Sequence, residues 1–174
     1  MENQRQTKKE FADMKNVVVY YSMGGNTGYV AEKTADKLGA DLIRLEPEKN
    51  YPDKGFKKFL WGGKSAVMGE EPLLKPYEFD ESLYDRIIFG FPVWAGSFAP
   101  PIRSFISENR KSMLGKQFAA FACYAGSGAD KALEKLKKFL GIAQLDAELV
   151  LIDPGDQRMP EKESKIQEFI DKLK

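Results

Sequence analysis

Short apolar runs alternate with amphipathic stretches along most of the chain. The clearest run, residues 17–21, is β-branched and aromatic throughout, and it predicts a strand buried on both faces. Four more strands are predicted at 41–46, 85–91, 117–123 and 147–152; apolar and charged residues alternate over 41–46, which indicates an edge strand. Apolar residues at helical spacing predict helices at 29–38, 54–68, 102–109, 129–140 and 160–173.

The alternation of strands and helices predicts an α/β fold with a doubly wound, five-stranded parallel sheet and helices on both faces. The strand order 2-1-3-4-5 makes the first, third and fourth strands neighbours. Residues 1–14 are polar and are interpreted as a flexible leader, so that residues 15–174 form a single domain. A long connection at 47–78 interrupts the otherwise short loops, and Gly62-Gly63 is expected to weaken the helix within it.

Composition excludes several classes of function. The chain has no histidine, which excludes Ser–His and Cys–His nucleophiles, and its one cysteine, Cys123, excludes an internal disulfide and favours the cytoplasm. The formal net charge is +1, which gives no indication of a nucleic-acid or anionic membrane partner. No apolar run approaches the roughly 20 residues of a membrane span.

The turn after the first strand carries the strongest chemical signal. Glycine, hydroxyl and amide residues stand here between a strand and a helix: Ser22, Met23, Gly24, Gly25, Asn26 and Thr27. Backbone N–H groups and the positive end of the helix would converge on one point, which suits a phosphate group. In the alternative interpretation, the hydroxyls of Ser22 and Thr27 only satisfy the free N–H groups of the helix. The spacing matches neither the Walker loop nor the dinucleotide fingerprint.

Two further turns follow the third and fourth strands. They contain Pro92, Val93, Trp94, Ala95 and Gly96 in one case, and Cys123, Tyr124, Ala125, Gly126, Ser127 and Gly128 in the other. In open parallel sheets, ligands bind beyond the carboxyl ends of the strands where the strand order reverses. All three turns are therefore expected to face one crevice.

On these residues the chain resembles the flavodoxin-like FMN proteins from about residue 16 to residue 174. The family's phosphate loop is a T/S-x-T-G-N-T pattern, which Ser22–Thr27 matches at four positions and breaks at Gly24, where a hydroxyl donor is missing. Residues 90–96 and 123–128 resemble the two loops that hold the flavin ring. The resemblance implies FMN as the cofactor and a short-chain, non-standard branch of the family.

The resemblance also implies roles for individual residues. Trp94 would stack on the isoalloxazine ring or meet its edge, or else be a core residue under the loop, and Tyr124 would cover the other side or lie beside the ring. Gly96 is a candidate for a peptide flip toward the ring. Main-chain amides of 93–95 and 125–128 would bond the polar edge of the flavin, and Cys123 is expected to be an inert buried thiol.

Three functions remain open at this stage. The favoured one is a small reductase that takes a hydride from NAD(P)H and passes electrons to a quinone or another small planar acceptor. An electron-carrier flavodoxin that meets a redox partner protein is the second, although carriers usually need a strongly acidic face. The third is a flavin-free α/β binding module. Residues 56–68 are expected to pack on the sheet through Phe56, Phe59 and Trp61, or to form a lid over the flavin. The longer segment 47–78 could supply a homo-oligomer interface.

Overall fold

The computed structural model describes residues 14–51, 56–152 and 160–174, with residues 56–61 described by their backbone alone. The predicted leader, apart from its last residue, and the predicted packing of Phe56, Phe59 and Trp61 lie outside what the structure describes. Within the described residues, no helix is both long enough and apolar enough to cross a membrane.

Five parallel strands form one sheet in the order β2-β1-β3-β4-β5, which confirms the predicted fold class. The strands are β1 (Asn16–Tyr20), β2 (Asp41–Arg44), β3 (Arg86–Pro92), β4 (Gln117–Tyr124) and β5 (Glu148–Ile152). The helices are α1 (Asn26–Leu38), α2 (Phe56–Met68), α3 (Pro100–Asn109), α4 (Ala129–Leu140) and α5 (Pro160–Leu173), with a short 3-10 helix at Glu81–Leu83.

Two hydrophobic layers cover the two faces of the sheet. On one face Val30 of α1 and Phe169 of α5 pack against Val18 and Ile88 of the central strands. On the other face Phe105 of α3 is part of a second buried cluster with residues of the same strands. Strand β1 is buried along its whole length, as its apolar run predicts, whereas β2 at the sheet edge has three of its four residues exposed.

Two element boundaries differ from the predictions in ways that affect the site. Helix α1 begins at Asn26, three residues earlier than predicted, so Asn26 and Thr27 lie in its first turn and not in the preceding loop. The start is set by Gly25, whose φ of 91° lies in the left-handed region that glycine tolerates best. Helix α2 continues through Gly62 and Gly63 without a break, because these glycines pack closely against the loop after β3.

The connection between β2 and β3 is more ordered than its length suggests. Residues 46–48 pair antiparallel with residues 73–75 through two backbone hydrogen bonds around the Pro47–Leu74 bridge: Glu48 N–H donates to Leu73 O at 2.8 Å, and Lys75 N–H donates to Glu46 O at 2.7 Å. This short ladder lies beside the carboxyl end of β2. It therefore forms a wall on the side of the sheet where the strands end, which is also the side of the predicted site.

A buried arginine closes the opposite end of the sheet. Arg86 is fully buried at the start of β3, and its guanidinium donates to Asp146 Oδ2 at 2.8 Å and to the backbone carbonyl of Leu173 in α5 at 2.8 Å. Longer bonds of 3.3 Å reach Asn16 Oδ1 and Gln117 Oε1. Because a buried charge is costly unless it is paired, this network explains how an arginine can lie in the core.

Candidate functional site

The loop between β1 and α1 forms a shallow cup of polar groups. Ser22 and Thr27 are buried, with 7% and 2% of their surface exposed. The backbone N–H of Gly25 donates to Ser22 Oγ at 3.2 Å, which leaves the hydroxyl hydrogen of Ser22 available for another acceptor. Thr27 lines the cavity described below, and its hydroxyl has no hydrogen-bond partner among the described residues.

The first turn of α1 is preceded by a glycine. Its N-cap is Gly25, which has no side chain to cap the helix, and no acidic residue lies in the first turn. The leading N–H groups of a helix have no intrahelical acceptor, and they carry the positive end of its dipole. The capping interpretation holds for Ser22, which accepts from Gly25 N–H, whereas Thr27 makes no such bond within the described residues. The hydroxyl hydrogens of both residues and the other leading N–H groups keep the capacity of the turn to bind an anion.

The loop after β3 makes a tight reversal of the chain. Trp94 N–H donates to Ser97 O and Ser97 N–H donates to Trp94 O, both at 3.0 Å. The two residues between them have positive φ angles, 49° at Ala95 and 64° at Gly96. Such a pair of left-handed residues is typical of a type I′ turn. A left-handed alanine costs about 1 kcal/mol or more, so the conformation of Ala95 is held by its surroundings.

The loops after β3 and β4 are attached to each other. Val93 N–H donates to Cys123 O at 2.9 Å, so the end of β3 is bonded to the end of β4. Further out, the backbones of Gly96 and Gly128 touch: a Cβ atom on Gly128 would lie 2.9 Å from the Cα of Gly96. Because a hydrogen bond and a close backbone contact join them, the two loops form a single continuous wall.

Trp94 is held in place by α2 and two tyrosines. Gly62 of α2 lies against its indole, close enough that a Cβ there would be 3.1 Å from the indole Cε3. The rings of Tyr21 and Tyr51 meet the indole at steep angles of 85° and 77°, with centroids 5.6 Å and 5.1 Å away. Edge contacts of this kind are favourable for aromatic pairs. The indole remains partly exposed, so it is fixed in orientation without being sealed in the core.

Residues of all three turns surround one cavity of about 380 Å³, which we call the central cavity. Most of the residues predicted from the sequence line it: Ser22, Met23, Gly24, Asn26, Thr27, Pro92, Val93, Trp94, Ala95, Cys123, Tyr124 and Ala125. Five predicted residues belong to the same loops but do not line the cavity: Gly25, Gly96, Gly126, Ser127 and Gly128. The three loops thus meet as the strand order requires.

One lining residue was not predicted. Gly63 of α2 borders the central cavity, and a Cβ there would touch the Cβ of Ala95 at 3.7 Å. The sequence did contain a signal, since a Gly-Gly pair inside a helical pattern often marks a close backbone approach. The pair was interpreted as a weak point in the helix instead.

The family comparison now identifies the class of this protein. A family model described as flavodoxin matches residues 15–154, which is most of the chain. The chain belongs to the flavodoxin family. The resemblance seen in the loop sequences and the FMN cofactor that it implies are both confirmed at the level of the family.

Solved structures with the same fold include several flavoproteins. A candidate flavoprotein from Bacteroides eggerthii is 23% identical with a TM-score of 0.72, and the match covers 92% of this chain and 98% of that one. A flavoprotein from Lactobacillus acidophilus in complex with FMN is 21% identical with a TM-score of 0.70, covering 90% and 98%. The flavodoxin of Megasphaera elsdenii is 17% identical with a TM-score of 0.54, covering 91% and 97%. At these identities the matches show the fold.

The residues of the central cavity fit the chemistry of FMN. Phosphate would meet the start of α1 together with the hydroxyls of Ser22 and Thr27, and none of the described residues that line this cavity is a lysine or arginine. The flavin ring would meet the aromatic side chains of Trp94 and Tyr124. Volumes of about 300 Å³ and above are usual for sites that hold small ligands, so a cavity of about 380 Å³ is adequate.

Proposed function

We propose that this chain is an FMN-dependent oxidoreductase that takes a hydride from NAD(P)H and passes two electrons to a quinone or a similar planar acceptor. The observation that carries the FMN part is the central cavity, in which the anion-binding turn after β1 and the two ring loops face the same space. Overall, NAD(P)H would lose one hydride and a quinone would gain two electrons and two protons, the second proton coming from water. Bound FMN would supply the two-electron chemistry of this exchange.

The turn after β1 would bind the phosphate group. Ser22 and Thr27 would donate their hydroxyl hydrogens, and the N–H groups at the start of α1 would add the charge of the helix dipole. Gly24 contributes no hydroxyl, and the space around it is open, because a Cβ there would have no heavy atom within 4 Å. This end of the site would therefore rely on fewer side-chain donors than the family pattern provides.

The continuous wall formed by the loops after β3 and β4 would orient the flavin ring. Trp94 would present its indole at an angle fixed by Gly62 and the two tyrosines, and Tyr124 would lie on the opposite side of the cavity. An electron-rich indole beside the ring disfavours adding electrons to it, which would lower the reduction potential. The proposal includes a flip of the Gly96 peptide toward the flavin ring. The positive φ of Gly96, 64°, is consistent with the backbone freedom that such a flip requires.

Two observations favour a small-molecule acceptor over a protein partner. The formal net charge is +1, whereas carriers that recognise partners electrostatically need a surface of one sign. In addition, α2 borders the central cavity through Gly63 and packs on Trp94 through Gly62, so an extra element stands at the ring end of the site. The electron-carrier flavodoxin is the competing proposal, and family membership supports it equally.

The test has two parts. Absorbance of the freshly purified protein, followed by release and identification of the bound flavin, should give a flavin spectrum and FMN; a colourless protein that does not take up added FMN would favour the flavin-free module. Steady-state oxidation of NADH and NADPH with a soluble quinone should then show turnover. Absence of turnover with both donors would contradict the reductase and leave the electron carrier.

A further inference from the structure

A second, more polar cavity lies at the β2 edge of the sheet, and neither the family resemblance nor the proposed flavin site accounts for it. We call it the edge cavity; its volume is about 480 Å³. Its lining comes from the end of β1, the end of β2, the following loop and the paired segment at 73–75: Tyr21, Ser22, Met23, Arg44, Leu45, Glu46, Pro47, Asn50, Tyr51 and Lys75.

A buried tyrosine is the first sign that the edge cavity is a binding site. Tyr21 has only 6% of its surface exposed, and it lines the cavity. Its hydroxyl makes no hydrogen bond within the part of the chain that the structure describes. The hydroxyl oxygen is not fully buried, so its donor is open to the space of the cavity. Tyr21 could therefore donate its proton to a ligand in the cavity.

The charges around the edge cavity favour an anion. Among the described residues, two cations line it, Arg44 and Lys75, against one carboxylate, Glu46. Lys75 Nζ lies 2.8 Å from Glu46 Oε2, and its hydrogen bond lowers the pKa of Glu46, so the carboxylate is charged at neutral pH. Arg44 contacts Glu46 only at 3.8 Å through Nε. The set has a net positive charge, and the rest of the Arg44 guanidinium is available for bidentate contact with phosphate oxygens.

The edge cavity adjoins the central cavity. Ser22 and Met23 line both of them, and Tyr21 of one meets Trp94 of the other, with ring centroids 5.6 Å apart. A ligand held in the edge cavity could therefore extend past Met23 toward the flavin site. The aromatic side chain of Tyr51 adds a surface on which a planar base could rest.

We propose that the edge cavity binds the 2′-phosphate of NADPH through Arg44, Lys75 and Tyr21, and so selects NADPH over NADH as the electron donor. The inference rests on the reductase proposed above, because it assigns the donor of that reaction. It adds a site separate from the flavin pocket and residues outside the flavin-binding loops. NADPH and NADH differ only in this phosphate, so the cavity would need to recognise one dianionic group.

The direct test is calorimetric binding of adenosine 2′,5′-bisphosphate to the FMN-loaded protein, with flavin absorbance followed to verify that FMN stays bound. Binding should weaken about tenfold or more in the double variant Arg44→Gln/Lys75→Gln, since charge-assisted contacts to phosphate are lost. Tyr21→Phe, which keeps the ring against Trp94, should weaken it severalfold. Lys111→Gln, an exposed position outside the cavity lining, is the matched control and should bind as the unaltered protein does.

The outcomes separate this inference from the function on which it rests. No binding of the bisphosphate, or equal binding by the double variant, overturns the edge cavity as a phosphate site. Equal affinity for adenosine 5′-monophosphate overturns selection of the 2′-phosphate. In turnover, the double variant should raise the KM for NADPH and leave that for NADH unchanged. Bisphosphate binding without any NADPH oxidation would uphold the cavity and refute the reductase.

Discussion

Gly62 of α2 lies against the indole of Trp94, so that a Cβ on Gly62 would be 3.1 Å from the indole Cε3. With any larger residue at this position, the indole would have to move by a few tenths of an ångström. The contact connects a helix in the long β2–β3 connection with the aromatic residue proposed to meet the flavin. The orientation of Trp94 thus depends on a residue that is distant in sequence.

Replacing Gly62 with alanine should displace the indole. The new methyl group would gain about 1 kcal/mol of helix propensity but would press on Trp94. We expect the FMN dissociation constant to rise severalfold and the near-ultraviolet circular dichroism of the tryptophan to change. Lys64→Ala is the control, because it lies at an exposed position of the same helix outside the lining of both cavities. Identical FMN affinities and melting temperatures for the two variants would contradict the prediction.

Restoring a hydroxyl at position 24 should strengthen FMN binding. The position is exposed, its φ is not positive, and a Cβ there would meet no atom within 4 Å, so a threonine can be accommodated. One added hydrogen bond to phosphate corresponds to about 1 kcal/mol, or roughly a fivefold lower dissociation constant. Fluorescence titration of apoprotein with FMN measures this change. Gly24→Val has the same shape without the hydroxyl and should show no gain; an equal gain would refute a phosphate contact.

Replacing Gly128 with alanine should separate the loops after β3 and β4. Its φ of 92° is strained for alanine, and the methyl group would lie 2.9 Å from the Cα of Gly96. We expect the free energy of unfolding to fall by about 1–3 kcal/mol in denaturant titrations. FMN should also bind more weakly. Gly126→Ala in the same loop meets open space and should change stability by less than about 0.5 kcal/mol. A similar loss in both variants would mean that the loops need not touch.

Removing the buried Arg86 should destabilise the whole domain. Arg86→Ala leaves Asp146 and the carbonyl of Leu173 without their donor and opens a void, which should cost about 3 kcal/mol or more in denaturant titrations. Arg86→Lys keeps the charge but lacks the fork of donors. Its free energy of unfolding should therefore lie between that of the unaltered protein and that of Arg86→Ala. Arg110→Ala, which removes an exposed arginine bonded to Phe139 O, should cost under about 1 kcal/mol. Comparable losses for Arg86 and Arg110 would contradict this network.

Periodicity was sufficient for the sheet, because β1 and β3 are apolar at every buried position after their first residues, Asn16 and Arg86, and the charged positions of β2 coincide with an edge. A ligand-binding role for the three turns could likewise be predicted, because Gly, Ser and Thr after a buried strand offer backbone N–H groups and hydroxyls to a ligand. The start of α1 was placed too late, because Asn26 and Thr27 have low helix propensity and Gly25 acts through its backbone conformation.

Long-range packing was not accessible to the same reasoning. The contact of Gly62 with Trp94 joins residues whose sequence neighbourhoods give no common signal. The edge cavity depends on the antiparallel pairing of 46–48 with 73–75, which brings Lys75 beside Glu46 across 29 positions. Local patterns do not specify such pairings. They predict which elements form, whereas the side chains that meet between elements follow from tertiary structure.

Arg86 makes one of its shortest bonds to a carbonyl 87 positions further along the chain, at the end of α5. During synthesis on the ribosome, β1, β3 and β4 can all have emerged while this acceptor has not yet been made. Until α5 arrives, the guanidinium must stay hydrated and that end of the sheet must stay open to water. Docking of α5 therefore supplies an acceptor for this guanidinium and covers one face of the sheet, and a nascent chain stalled before α5 would leave both in contact with water.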